Sequence, residues 1–127
     1  MRIIGHGIDT VSIAEIRDDV DCPDLNWAEQ FCSPDERKRA GKTGKRYRYF
    51  ASCFAGKEAV VKAMGTGFAG AIRWEGIEVL RKRGGAPFVR LSGEVKKKTE
   101  RLGITDCLIS ITYTDETATA SVIAVGT

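Results

Sequence analysis

The spacing of apolar residues changes several times along the chain, and each change marks an element. Residues 2–9, with Ile3, Ile4 and Ile8 set among glycines, read as a strand, and residues 11–17 begin a short amphipathic helix with Ile13 and Ile16 inward. Ser33-Pro34-Asp35-Glu36 is a helix start: Ser33 caps, Pro34 suits the first turn and Glu36 closes a capping box. That helix ends near Gly41, and residues 41–44 form a mobile basic turn. A long helix covers residues 46–64, with Phe50, Phe54, Val61 and Met64 spaced to face a core. Beyond a glycine loop, residues 72–81 have strand character, with Ile77 and Val79 on one face. Gly84-Gly85 supplies a turn, and residues 88–91 return as the hairpin partner. Residues 94–102 read as a helix stopped by Gly103, and residues 107–113 and 118–125 form a last hairpin around Asp115-Glu116. The order β-α-α-α-β-β-α-β-β, with antiparallel hairpins, is that of an α+β fold.

At 127 residues the chain is expected to be one domain, 1–127, with no linker, repeat or low-complexity segment. Its 43% hydrophobic content is ordinary for a globular protein, and no apolar run approaches the roughly 20 residues of a membrane span. No basic region followed by an apolar stretch and cleavage site opens the sequence, so a cytoplasmic protein away from membranes is expected. Cys22, Cys32, Cys53 and Cys107 lack C-x-x-C spacing and the single histidine, His6, is remote in sequence, which disfavours structural zinc. Cys53 and Cys107 fall in apolar patterns and are assigned to the core. A net charge of +3 permits an acidic partner without demanding one. Seven Lys/Arg residues fall in the twelve positions from Arg37 to Arg48, and Lys96-Lys97-Lys98 forms a second knot. A nucleic-acid-binding domain would rest on the first cluster alone, with only Tyr47 and Tyr49 as stacking residues, so no nucleic-acid partner is expected.

Candidate chemistry concentrates in residues 54–67, Phe-Ala-Gly-Lys-Glu-Ala-Val-Val-Lys-Ala-Met-Gly-Thr-Gly. Glu58 and Lys62, four residues apart, project from the same helix face, and Gly65-Thr66-Gly67 leaves bare backbone beside them. With Asp9 after the first strand, these supply acids for a divalent cation, a cation beside them and an open loop, which suits a phosphate ester bound through metal. Each piece alone has an ordinary explanation: a surface helix pair, a turn acid, a helix end.

Gly7-Ile8-Asp9, then Lys57-Glu58-Ala59 within residues 54–63, then Gly65-Thr66-Gly67 and Gly85-Ala86-Pro87, occur in an order and spacing that resemble the bacterial holo-acyl-carrier-protein synthase family. These are 4′-phosphopantetheinyl transferases, and the resemblance runs from about residue 3 to residue 125. It implies that fold, an antiparallel sheet packed against a long helix, assembled as a homotrimer with sites between subunits. It also implies Mg²⁺-dependent transfer of phosphopantetheine from coenzyme A to a serine of apo acyl carrier protein, releasing adenosine 3′,5′-bisphosphate. On this reading Asp9 and Glu58 hold Mg²⁺, and Lys62 assists proton transfer or neutralises charge, making these three the catalytic set. The expected coenzyme A contacts are Arg48, Lys62, Gly65, Thr66, Gly67 and Pro87.

Four positions depart from the family pattern. The arginine expected six residues past the aspartate to dock an acidic carrier is Glu15, with Arg17 two residues on. The arginine expected before Phe54 is Cys53, the lysine of G-K-P is Ala86, and S-H-T is Thr112-Tyr113-Thr114, where Tyr113 reads as core beside Ile109 and Ile111. These departures sustain an alternative: a coenzyme A- or carrier-binding protein of the same fold with little or no turnover. The trimer finds separate support in the final hairpin, whose Ile109, Ile111, Val122 and Ala124 read as spread over both faces of a small sheet.

Overall fold

A computed structural model describes residues 1–65 and 74–127. Strand β1 (Arg2–Ser12) is followed by helices α1 (Ile13–Val20), α2 (Trp27–Phe31), α3 (Pro34–Ala40) and α4 (Arg46–Ala63). A 3-10 turn (Trp74–Gly76) leads into the hairpin β2 (Ile77–Arg81) and β3 (Pro87–Leu91), then α5 (Gly93–Arg101), β4 (Asp106–Tyr113) and β5 (Thr117–Gly126). The α+β class holds, and all pairing among the described residues is antiparallel: one sheet in the order β1-β5-β4 and a separate β2-β3 hairpin.

Glycine and alanine set the distance between the long helix and the sheet. A Cβ on Gly5 would lie 1.9 Å from the carbonyl oxygen of Ala63, and one on Gly7 would lie 2.0 Å from that of Ala59. Neither position admits a side chain while α4 keeps this close approach. Ala55, Ala59 and Ala63 meet Ala120, Val122 and Ala124 in the main core. On its far side α4 contributes Phe50 and Phe54 to an aromatic cluster with Trp27, Phe31 and Trp74, whose ring centroids lie 5.3–5.8 Å apart. Phe50 and Met64 are buried as expected, while Phe54 and Val61 are half-buried at its edges.

Several expectations are corrected. Val11 belongs to β1, because pairing with β5 runs on through Ser12 and Thr117, and Ser12 then caps α1 by accepting from the Glu15 amide. Helix α2 was not anticipated. Residues 74–76 form a 3-10 turn, so the strand expected over 72–81 begins at Ile77; residues 72 and 73 lie outside the described residues. Ile109 and Ile111 pair with Val122 and Ala120, and Cys107 pairs with Ala124, so these side chains share the helix face instead of dividing between two. The opposite face carries Ile8, Leu108 and Ile123, with Ile8 55% and Leu108 46% exposed and no described element covering it. Tyr113 is 48% exposed, not core, because it lies at the strand end with the Arg48 guanidinium 4.3 Å over its ring. Cys53 and Cys107 are buried as expected.

Candidate active site

Alternation along β1 turns Gly5, Gly7 and Asp9 toward α4. The missing side chains at Gly7 let the helix down onto the strand, and the residue two positions on then meets the helix's polar edge. There the Lys62 Nζ donates to Asp9 Oδ1 at 2.9 Å and to the Ile8 carbonyl at 3.0 Å. The lysine side chain is 52% exposed and the aspartate 17%, so the pair sits at the mouth of the helix–strand crevice.

Glu58 lies one turn before Lys62 and is half-buried. Burial pushes its carboxyl above the usual glutamate range and the nearby Asp9 charge adds to that, with Lys62 opposing. The hydrogen bond to Asp9 holds the Lys62 ammonium above the usual lysine range, so it remains a cation. Among the described residues no three His, Cys, Asp or Glu side chains cluster as a metal site, which leaves the two carboxylates. Two carboxylates beside one another, open to solvent on one side, form a donor set for a small hard cation that keeps several waters.

The other expected site residues fall into three groups. Gly65, with φ of 74°, ends α4 in the left-handed region, while Thr66 and Gly67 lie outside the described residues. Arg48 lines a shallow pocket of about 220 Å³ with Arg17, Lys45, Tyr47, Thr114 and Asp115, so the helix that follows β1 and the start of α4 supply its cations together. The rest of the Arg37–Arg48 cluster is partly committed elsewhere: Arg37 donates to the Cys32 carbonyl and Arg46 to Asp21. Glu15 is exposed in the first turn of α1, where its charge suits the helix dipole. Pro87 lines a different cleft, with Lys82, Phe88, Leu108 and Ile109, and does not meet Asp9 within the chain.

Sequence reasoning missed what Lys57, the neighbour of Glu58, does. It points away from the crevice and is fully buried, with Nζ 2.7 Å from Glu36 Oε1, 3.0 Å from the Trp74 carbonyl and also bonded to the Ile77 carbonyl. Glu36, the capping-box residue of α3, also accepts from the amides of Ser33 and Val79 at 2.9 Å each. Ser33 Oγ donates to Glu78, which Arg90 binds through two nitrogens before reaching Asp35. A lysine whose helix-face neighbours are Cys53, Phe54, Val60 and Val61 was the available signal. The buried thiols offer no competing nucleophile: burial, with Glu36 nearby, raises Cys32 to about 12, and burial raises Cys107 to about 11.

The profile of the 4′-phosphopantetheinyl transferase superfamily matches residues 5–120. The chain is 37% identical over 124 residues to a holo-[acyl-carrier-protein] synthase of Desulforudis audaxviator, covering 98% of this chain and 94% of that one. It is 40% identical over 127 residues to one of Mycolicibacterium smegmatis, with 94% and 95% covered. A crystal structure of the Helicobacter pylori holo-[acyl-carrier-protein] synthase in complex with coenzyme A matches with a TM-score of 0.81 at 30% identity, over 94% of this chain and 99% of that one.

Proposed function

The chain belongs to the 4′-phosphopantetheinyl transferase superfamily and is an enzyme of that class, and we propose that it moves phosphopantetheine from coenzyme A to a serine of apo acyl carrier protein. The serine oxygen forms a new bond to the pyrophosphate phosphorus that carries the pantetheine arm. The bond to the leaving phosphate breaks, and adenosine 3′,5′-bisphosphate departs. The observation that carries this reading is the crevice in which Asp9, Glu58 and the 2.9 Å Asp9–Lys62 bond meet.

Asp9 and Glu58 are the residues that would hold Mg²⁺, and their repulsion and solvent access fit it. When bound, Mg²⁺ supplies charge neutralisation and orientation for the pyrophosphate oxygens. Lys62, kept protonated by Asp9, acts as a fixed positive charge toward the transferring phosphate and not as a base. Glu58 takes the serine proton at an Oε oxygen or through one water. Arg48 and Gly65, with Thr66 and Gly67 assigned by sequence alone, bind the remainder of coenzyme A. Arg17, beside Arg48 in the 220 Å³ pocket, is the docking cation left to a carrier protein where Glu15 repels it.

Chain 1–127 is read as a single domain acting as a cytoplasmic homotrimer. The open sheet face bearing Ile8, Leu108 and Ile123 supports self-association, replacing the hairpin argument that the register removed. Pro87, set apart from Asp9 in its own subunit, suits a site completed by a neighbour. No described helix is long and apolar enough to cross a membrane. The test is mass spectrometry of apo acyl carrier protein incubated with the protein, coenzyme A and Mg²⁺. A phosphopantetheine mass increase that a chelator abolishes is expected, and an unchanged carrier would overturn the reading. Light scattering at micromolar concentration should return a trimer; a monomer rejects the shared site.

A further inference from the structure

The structure assigns Lys57 the role of a positioning residue that sets the rotation and axial register of α4, and with it the placement of Glu58 and Lys62 against Asp9. This rests on the reading of those three residues as the transfer site. Over the sheet, α4 sets Ala55, Ala59 and Ala63 against Gly5, Gly7, Ala120, Val122 and Ala124. Such a surface brings backbones close and sets the distance between helix and sheet through dispersion contacts, which carry little directional preference. A turn by one residue would carry Glu58 out of the crevice.

Directional bonds add an azimuthal anchor to that contact. Lys57 Nζ is held by a carboxylate from α3 and by two main-chain carbonyls, one in the 3-10 turn and one at the start of β2. All three donor directions of the ammonium are thereby used, inside a pocket with no solvent exposure. Glu36 is fixed in turn by the Ser33 and Val79 amides, so the acceptor cannot follow the helix if it moves. Lys57 and Glu58 are adjacent on the helix and point about 100° apart, so locking one azimuth locks the other. With its donors spent on protein acceptors, Lys57 has none left for substrate or metal. It acts on turnover through geometry, and small misplacements of reacting groups are costly to rate even when binding survives.

The test compares Lys57→Met, Glu36→Gln, Ile104→Ala and Asp9→Ala with the parent protein, each corrected for folded fraction. Ile104 is a buried core residue whose apolar side chain makes no bond to Lys57 or Glu36, and it controls for lost stability. Lys57→Met should lower kcat by roughly tenfold to a hundredfold, with the coenzyme A KM within about threefold and a higher Mg²⁺ requirement. Glu36→Gln, which keeps the lysine and weakens its anchor, should shift kcat and Mg²⁺ requirement in the same direction by less, and it carries the test if Lys57→Met does not fold. Ile104→Ala should keep the kcat and Mg²⁺ requirement of the parent. A parental kcat in the folded fraction of both clamp variants overturns the proposal. So does a rise in coenzyme A KM with kcat unchanged, or an equal kcat loss in Ile104→Ala. If Asp9→Ala itself retains turnover, the site reading has failed; if only the clamp variants do, that reading stands and the clamp alone is wrong.

Discussion

Two lysines of α4, Lys57 and Lys62, each bind one carboxylate at 2.7 and 2.9 Å, yet their surroundings are opposite. The Lys57–Glu36 pair has no solvent exposure on either side, and its ammonium has three protein acceptors. The Lys62–Asp9 pair stands half in water. Desolvating a charge is repaid only by a complete set of partners, so the inner pair is fixed and its loss leaves a buried unpaired charge. The outer pair is screened and exchangeable, and a cation or phosphate can replace either member without unfolding anything. Equal bond lengths therefore say little about role; burial and the count of partners separate a structural ion pair from one available for chemistry.

Removing an acid from the outer site should have the largest effect on activity. Asp9→Ala and Glu58→Ala are each expected to lower transfer by at least about a hundredfold, as loss of a group that organises transition-state charge does. Circular dichroism should still show a folded protein. Near-parental turnover in either variant would show that these two carboxylates are not the metal-binding pair.

The next prediction sets the two lysines directly against each other. Lys57→Met strands Glu36 in the core and should cost about 3–5 kcal/mol of stability in denaturant unfolding. Lys62→Met should leave the midpoint close to the parent's while lowering kcat more than it weakens coenzyme A binding measured by calorimetry. If both substitutions destabilise alike, the contrast in burial is not what separates them.

The inner pair was also the part the sequence concealed. The capping box at Ser33–Glu36, the glycine-stopped α5 and both hairpins rest on local spacing and were legible. So was the outer site, because its motifs place Glu58 and Lys62 on one helix face. Lys57 was visible as a letter, but its partner Glu36 is 21 residues away on another helix and already occupied with capping. Helix α2 was hidden for a related reason. Its cap residue Asn26 has φ of 47° and makes no side-chain cap bond, and five residues are too few to show a period. What holds α2 is Trp27 in the aromatic cluster, a tertiary contact. Tyr113 was misread because alternation gives a face but not how far the covering helix extends.

The smallest effect tests the strain carried by the outer site. Glu58 has its carboxyl raised by burial first and by Asp9 second, so its ionised form opposes folding. The sign follows from proton linkage: the native state holds this proton more firmly than the unfolded chain, so the protonated carboxyl favours the native state. That advantage is complete below the ordinary glutamate value and is lost as pH rises through the raised one. Glu58→Gln removes the ionised group and should stabilise the protein at about pH 7 by a few tenths of a kcal/mol, solvent screening keeping the gain small. The gain should vanish near about pH 4, where the carboxyl is protonated in both states. Mg²⁺ should stabilise the parent and not the variant, reversing their order at neutral pH. Denaturant midpoints for both proteins at the two pH values, with and without Mg²⁺, decide it. A Glu58→Gln protein less stable than the parent at neutral pH without metal would mean that the crevice favours the charged glutamate by itself. The division between fixed and exchangeable charge along α4 would then fail.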